Sequence, residues 1–530
     1  MLAKMDSPKD LNTHGSPMRV TELQNDEWQR LSPISIVYFT VHAIFNFANA
    51  LFYLIPAIAL NISKIKENPQ IALIVVLGIL LIFVIMGALN YWFYRFKVGQ
   101  SRIEIKQGVF KKSHIDLPFE RIQNVKLSQP IYYRINDYSC IELDTAGSAK
   151  QEAKIIALKT PLAQKFRLKI LENLANGSRD GDPADANHVD GSGSDEVVLN
   201  RRSIRDLIIH GLTNNRIWIF LGALAPFYNA ISEGLSEIFV SIGFDAQAYF
   251  SLETQAWWEF GLHVLSVVMV VMLVVVSLSV AGAILMFYNF TLSKTNDRYI
   301  RRSGLLTKHE VSMKLSRIQI MVQAQDWLDV LLGRVNLSFE QNTSGAVRNN
   351  QGSEQMANKL LVPSVTLSES QALMKDAMPT QKLSEQVFSA ISKRYILRGI
   401  LFLGLPLSGI IFAIIYQNKP IVALIAASIV FALITLIYSI SWKRWGVSYD
   451  TDYIYVRKGF LGVDYYCFPI HKVQQVQFKQ SSFMRPYRLA TLKVVLASGV
   501  KHIPYMPAKE VQEIINMTLD RLVTDKRSWM

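Results

Sequence analysis

The sequence predicts a mixed membrane protein: six transmembrane α-helices in three hairpins, each followed by a small β-barrel or sandwich with a C-terminal helix. Three observations predict it. Apolar runs come in pairs, Lys and Arg cluster on one side of them, and one residue frame returns three times at fixed offsets. Of the 530 residues, 50% are hydrophobic and mean hydropathy is +0.20, which points to membrane segments. The net charge of +14 suits an anionic membrane surface or nucleic acid. Beside long apolar runs the membrane surface is the simpler partner, so no nucleic acid is expected. Cys140 and Cys467 are too few and too far apart for a disulfide scaffold or a thiolate metal site. They read as small buried residues.

Residues 1–33 form a polar tail without the short apolar core and cleavage site of a signal peptide, so the first apolar run is expected to stay as an anchor. A bilayer core of about 30 Å needs roughly 20 apolar helical residues. Runs 34–60 and 71–94 form the first hairpin, within 34–94. Residues 95–175 form the first β unit, and 176–200 an acidic Gly/Asp/Ser-rich linker expected to be disordered. A basic amphipathic lead-in at 201–212, expected along the membrane surface, opens the second hairpin region, 201–289. Its runs are 217–240 and 261–289. Run 217–240 is the weaker, because Pro226, Glu233 and Glu237 interrupt it. It counts as a span because otherwise its flanking domains would face opposite sides. The second β unit is 290–380, with a polar insertion at 341–359. A lead-in and third hairpin occupy 381–442, with runs 395–416 and 421–442, and the third β unit is 443–525.

No Lys or Arg occurs from 217 to 293, whereas Arg95, Lys97, Arg102, Arg298, Arg301, Arg302, Lys443 and Arg444 crowd the exits of the hairpins. Positive flanks stay cytoplasmic, so both termini and all three β units are expected at the cytoplasmic face of the membrane. Lys64 and Lys66 oppose this weakly. Within the runs, His42, Asn46 and Asn49 share a helix face, Asn90 lies at a comparable depth, and Glu233 and Glu237 lie near the outer interface. These residues read either as interhelical hydrogen-bond partners or as a polar path.

Gly108, Gly304 and Gly459 each precede a basic residue by 13 positions (Arg121, Arg317, Lys472). Each also precedes Gln by 15 (Gln123, Gln319, Gln474) and a second Gln by 21 (Gln129, Gln325, Gln480). Ungapped offsets in triplicate mark an internal repeat. Around each glycine the apolar residues alternate as in strands, and each copy ends in a helical pattern: 161–175, 367–377 and 507–523.

Paired spans followed by this [RK]-[IV]-Q…Q frame resemble the bacterial pleckstrin-homology (PH)-like domain of the YdbS/YdbT family of membrane proteins. The resemblance covers all three β units with their helix pairs. It implies a seven-stranded barrel capped by a helix, repeated on a multipass bacterial membrane protein, with a smaller PH-like membrane protein of the same family as one conceivable partner. Copy two departs from the pattern: Val330 stands where Arg134 and Arg485 stand, five residues after the second Gln.

The frame places a long cation and an amide on one face of a strand, as a fold-stabilising corner or as a recognition surface. The loops 130–134 and 481–488 join aromatics to Arg134, Arg485 and Arg488, a composition suited to a lipid interface. Lys111 and Lys112 add to the candidate contact set. No phosphate loop, dinucleotide fingerprint, zincin motif or nucleophile elbow occurs, so no enzyme, cofactor or metal is expected. The function expected is a scaffold presenting three cytoplasmic PH-like domains to protein or anionic lipid, in envelope maintenance or stress. The alternative is transport or lipid handling along a polar path.

Overall fold

The computed structural model describes residues 28–45, 47, 69–99, 101–109, 111–145, 153–177, 196–213, 257–341, 359–417 and 419–524. In repeat one, strand β1 (Gln29–Arg30) leads into helix α1 (Ser35–Phe45). Helix α2 (Pro69–Phe93) returns to β2 (Arg95–Val98), β3 (Arg102–Gln107) and β4 (Ser113–Pro118). Then come β5 (Ile122–Pro130), β6 (Tyr138–Thr145), β7 (Ala153–Lys159) and α3 (Thr160–Gly177). Repeat two runs β8 (Val197–Arg201), α4 (Ile204–Thr213), α5 (Trp257–Phe287), β9 (Thr291–Thr295), β10 (Arg298–Ser303) and β11 (Thr307–Lys314). It continues with β12 (Ile318–Gln325), β13 (Arg334–Gln341), β14 (Lys359–Thr366) and α6 (Leu367–Ala377). Repeat three runs β15 (Ser389–Ala390), α7 (Arg394–Tyr416), α8 (Pro420–Arg444), β16 (Gly446–Tyr449), β17 (Tyr453–Lys458) and β18 (Val463–Pro469). It ends with β19 (Val473–Lys479), β20 (Leu489–Leu496), β21 (Gly499–Pro507) and α9 (Ala508–Thr524).

Leu73–Phe93, Val268–Phe287, Arg394–Tyr416 and Pro420–Arg444 are long and apolar enough to cross a membrane. A helix is what such runs must form, since lipid offers no partners to backbone N–H and C=O groups. Gly399 lets α7 approach α8 closely: a Cβ there would lie 2.3 Å from the Tyr438 ring. The expected span 217–240 and most of 34–60 lie outside the described residues.

Each repeat carries the same backbone signature. Asp137, Gly333 and Arg488, all 29 residues after the turn glycine, take positive φ (56°, 62° and 53°). So do Ala157, Ser364 and Tyr505 (55°, 46° and 55°), each three residues before its closing helix. The three units therefore share one fold.

One expectation is corrected here. Lead strands are part of the β units: β1 pairs with β2, β8 with β9 and β15 with β16. Residues 197–200 are thus strand rather than linker, because Val197–Arg201 has an open edge of β9 to pair with. The lead-in α4 packs against α5 and β14, burying Leu207 and His210. Ser279 Oγ of α5 donates to Gly211 O at 2.8 Å.

The sheets join neighbouring repeats. Strand orders are β1-β2-β3-β4, β7-β6-β5-β11-β10-β9-β8, β14-β13-β12-β18-β17-β16-β15 and β19-β20-β21. A repeat contributes a four-stranded and a three-stranded half, as a PH-like unit should. Its β4-type edge, however, hydrogen-bonds to the β5-type edge of the preceding repeat, so two composite seven-stranded sheets form. The pairing satisfies backbone groups that a free edge would leave to water. The apolar cores follow the sheets. Ile320 and Val322 of repeat two belong to the core of repeat three, while Tyr453, Tyr455 and Cys467 of repeat three belong to that of repeat two.

Met321 lies opposite Cys467 at the second junction and is fully buried. Met321→Ala should cost about 2–5 kcal/mol. Repeats two and three should unfold in one transition when limited proteolysis is followed against temperature. Separate transitions would contradict the shared sheet.

Candidate interaction surfaces

The repeated frame is a structural corner in all three copies. Arg121, Arg317 and Lys472 end a single 3-10 turn rather than sitting on a strand. This corrects the expected strand placement of the cation. The N–H after each turn bonds back to its first carbonyl, and the strand starts only there. The first Gln falls in a β-bulge each time, between Ile122 and Asn124, Ile318 and Ile320, and Val473 and Gln475. A bulge re-aims the strand and tightens its twist. Gln319 and Lys472 are buried, Gln474 and Arg121 exposed, and the Gln123 side chain lies outside the described set. Burial pushes the Arg317 guanidinium down, with nearby Arg298 adding to the shift.

The second Gln ties the end of its strand to the next strand in repeats two and three and to the start of α3 in repeat one. Gln325 Nε2 donates to Arg334 O and Gln480 Nε2 to Leu489 O, both at 2.9 Å, while Gln129 reaches Thr160 Oγ1 at 3.2 Å.

Both junctions keep one register. The residue four places after a turn glycine faces the residue 21 places after the preceding repeat's glycine: Lys308 faces Gln129, and Val463 faces Gln325. The turn itself needs glycine. Gly304 has φ +118°, and a Cβ there would meet Thr307 O at 2.0 Å. The chemistry of the two junctions differs. The second is apolar, while the first is ionic. There Arg167 of α3 pairs with Glu310 of β11, which also meets Arg302 Nε at 3.2 Å. Arg302 pairs in turn with Glu196. Arg134 Nη2 donates to Gly304 O at 3.2 Å, so this candidate cation holds the next repeat's turn. Behind them Glu142 meets Lys154 Nζ at 2.5 Å. Burial alone would raise the Glu142 carboxyl, but Lys154 outweighs it and the net shift is downward. Burial with no carboxylate to offset it pushes Arg301 down to about 10.

The loops after the second Gln gather a second surface. In repeat one a helical turn, Ile131–Arg134, stacks Tyr133 on Tyr38 of α1, leaving Ile131 and Ile135 exposed. In repeat two the turn Trp327–Leu331 contacts α4 and exposes Trp327, Val330, Leu331 and Leu332. In repeat three Phe483 meets Phe402 of α7 at 6.3 Å between ring centroids, and Arg394 lies over Tyr487. Arg485 and Arg488 are exposed beside them. Each tip thus rests against the helix that follows its own repeat's lead strand and offers uncovered apolar side chains. Sequence reasoning missed the tip of repeat two because Val330 lacks the charge. Counting from Gly304 would have placed Trp327 and Leu331 on the same tip.

Lys111 and Lys112 are exposed beside the free edge of β4. Of the intramembrane polar residues, Asn90 donates to Met86 O at 2.9 Å within its own helix, and His42 stacks on Tyr38 at 5.7 Å. Asn46, Asn49, Glu233 and Glu237 lie outside the described residues. Cys140 and Cys467 are free and buried.

A polar network ties α4 to repeat two. His210 Nδ1 and Asn336 Oδ1 are 2.8 Å apart, and Asn336 Nδ2 donates to Asp329 Oδ2 at 2.8 Å. Burial raises the Asp329 carboxyl to about 6, against the hydrogen bonds that favour its charged form.

Comparison with known proteins matches the bacterial PH domain family three times, at residues 50–174, 242–371 and 400–522. The chain is also similar to the transmembrane protein YdbT of Bacillus subtilis (strain 168). The two are 20% identical over 502 residues, which cover 92% of this chain and 96% of that protein.

Arg167→Ala and Glu310→Ala should each destabilise the full chain by about 1–3 kcal/mol. A double-mutant cycle should show them non-additive, because Glu310→Ala strands Arg167 while Arg167→Ala leaves Glu310 with Arg302 as its remaining partner. The raised Asp329 carboxyl lets the folded state hold a proton that the unfolded chain releases near pH 4. Its contribution therefore falls as pH rises from about 4 to about 6. Asp329→Asn should flatten that segment of the melting temperature against pH, with the largest gain above pH 6.

Proposed function

This chain belongs to the bacterial PH domain family, and from that premise we propose that it is a multipass membrane scaffold. In this reading it holds three PH-like domains as one linked row against the cytoplasmic leaflet. The observation that carries it is the closure of each hairpin by its own lead strand. Because β1, β8 and β15 bond to the strands leaving the hairpins, the chain enters and leaves the membrane at one face each time. An even number of crossings between β8 and β9 then asks for a span besides α5, which supports six spans in all. The composite sheets keep the three domains on that one face. The bias of Lys and Arg makes it the cytoplasmic face of the inner membrane.

The row has two kinds of contact to offer. In this reading the aromatic and aliphatic side chains of the tips sit at headgroup depth, with Arg485 and Arg488 near phosphates. The outer faces of the sheets remain for a membrane or cytoplasmic protein. Without a catalytic constellation in its sequence, the chain is read as non-enzymatic, and its work as organising other components in envelope maintenance or stress.

Leu331→Cys and Phe483→Cys, each carrying a polarity-sensitive fluorophore on the full chain in lipid nanodiscs, should give blue-shifted emission quenched by lipid-borne quenchers. The same label at Val523 should do neither. Arg485→Glu with Arg488→Glu should weaken the Phe483 quenching in anionic more than in neutral bilayers. Water-like emission at both tips, or a reporter inserted after Gln341 that is active outside the cell, would remove this reading.

A further inference from the structure

The two composite sheets leave two halves over. At one end of the row stands β1-β2-β3-β4 with β4 as its open edge, and at the other β19-β20-β21 with β19 open. Together they make the missing seven-stranded sheet, in the strand order that each internal junction already has. We propose that β19 of one chain pairs with β4 of a second copy, so that the protein assembles head to tail in the plane of the membrane.

The internal junctions give the register. Transferring their offsets sets Gln480 opposite Lys112, Lys479 opposite Ser113, Phe478 opposite His114, Gln477 opposite Ile115 and Val476 opposite Asp116. The exposure pattern agrees. Asp116 is exposed in β4, whereas Ser312 and Cys467 at the same position of paired β11 and β18 are buried, and paired β12 is buried along Ile318–Gln323. In β19, Phe478 is 41% exposed and Lys479 is open. Lys112 does not forbid pairing, since Lys308 occupies the same position in β11 and pairs with Gln129.

The side chains that would receive the second copy are in place. Phe478, Gln480, Arg485, Tyr487 and Arg488 line an open groove beside β19. Arg485 stands 26 residues after its turn glycine, as Arg134 does, and Arg134 holds the Gly304 carbonyl of the next repeat. Among the described residues the Arg485 guanidinium has no hydrogen-bond or ion-pair partner. Gly108 O of a second copy is the acceptor that this equivalence assigns to it. Repeat two, with Val330 at this position, joins its neighbour through apolar packing instead.

A second copy is the occupant because it alone is certain to carry both complementary edges, in the same membrane and the same orientation. Confinement to two dimensions raises its effective concentration. The interface is heterologous, so it gives a ring if the rotation closes and an open row if it does not.

The test uses two differently tagged full-length chains co-expressed in their native membrane, one with His114→Cys and one with Phe478→Cys. Both native cysteines are buried. After the isolated membranes are treated with copper–phenanthroline, which takes up the two electrons released, a disulfide joining the two tags is expected. Asp116→Cys with Phe478→Cys should join them far less, because diagonal cross-strand neighbours lie too far apart for a disulfide. Arg485→Ala should lower the yield. Gln325→Cys with Val463→Cys, within one chain, reports that the variants fold. Closure of that internal bridge without any bridge between tags overturns the proposal. So does equal bridging out of register, or a photo-crosslinker at position 478 that captures a different, smaller protein in place of a second copy.

Discussion

A strand edge carries a row of N–H and C=O groups that water or another strand must satisfy. In this chain the β4-type edge of one repeat and the β5-type edge of the repeat before it satisfy each other. Everything else in the architecture leans on that exchange. It gives each apolar core residues from its neighbour, such as Val322 in the third core and Tyr455 in the second. It joins the three domains into one linked row. It also gives the repeated frame a reason to exist. The first Gln falls in a bulge of the β5-type strand, and the second Gln stands opposite the next repeat at the start of the junction.

The two junctions solve one geometric problem with different chemistry. Met321, Cys467, Val322 and Tyr466 form an apolar seam, where area removed from water supplies the stabilisation. Arg167, Glu310, Arg302 and Glu196 form a charged one. Half-buried ion pairs contribute modestly but penalise mispairing. That contrast makes the first junction the more specific of the two and the second the more cohesive.

Much of the fold was legible in the sequence, because the signals were local. Hydropathy gave four helices now seen as long enough to cross, and fixed offsets from Gly108, Gly304 and Gly459 gave three copies of one fold. The offsets survive because φ above zero at Gly108 and Gly304 is a requirement of the turn. The lead strands were not legible. Gln29–Arg30 and Ser389–Ala390 are two residues long, too short for periodicity to register, and only pairing across the hairpin defines them. The exchange between repeats was equally hidden, since alternation reveals which face of a strand is buried but not which neighbour buries it. Of the candidate surface, Arg134 was visible as a cation, but its acceptor 170 residues away was not.

Hydrogen–deuterium exchange on the full chain in lipid nanodiscs probes the exchange of edges most directly. The backbone amides of Leu127–Gln129, Lys308–Glu310, Met321–Gln325 and Val463–Cys467 should be protected as strongly as the centre of β13, which lies inside its sheet on any account. Exchange at these four stretches as fast as at an open edge would mean that the repeats stand apart, and the linked row would not exist.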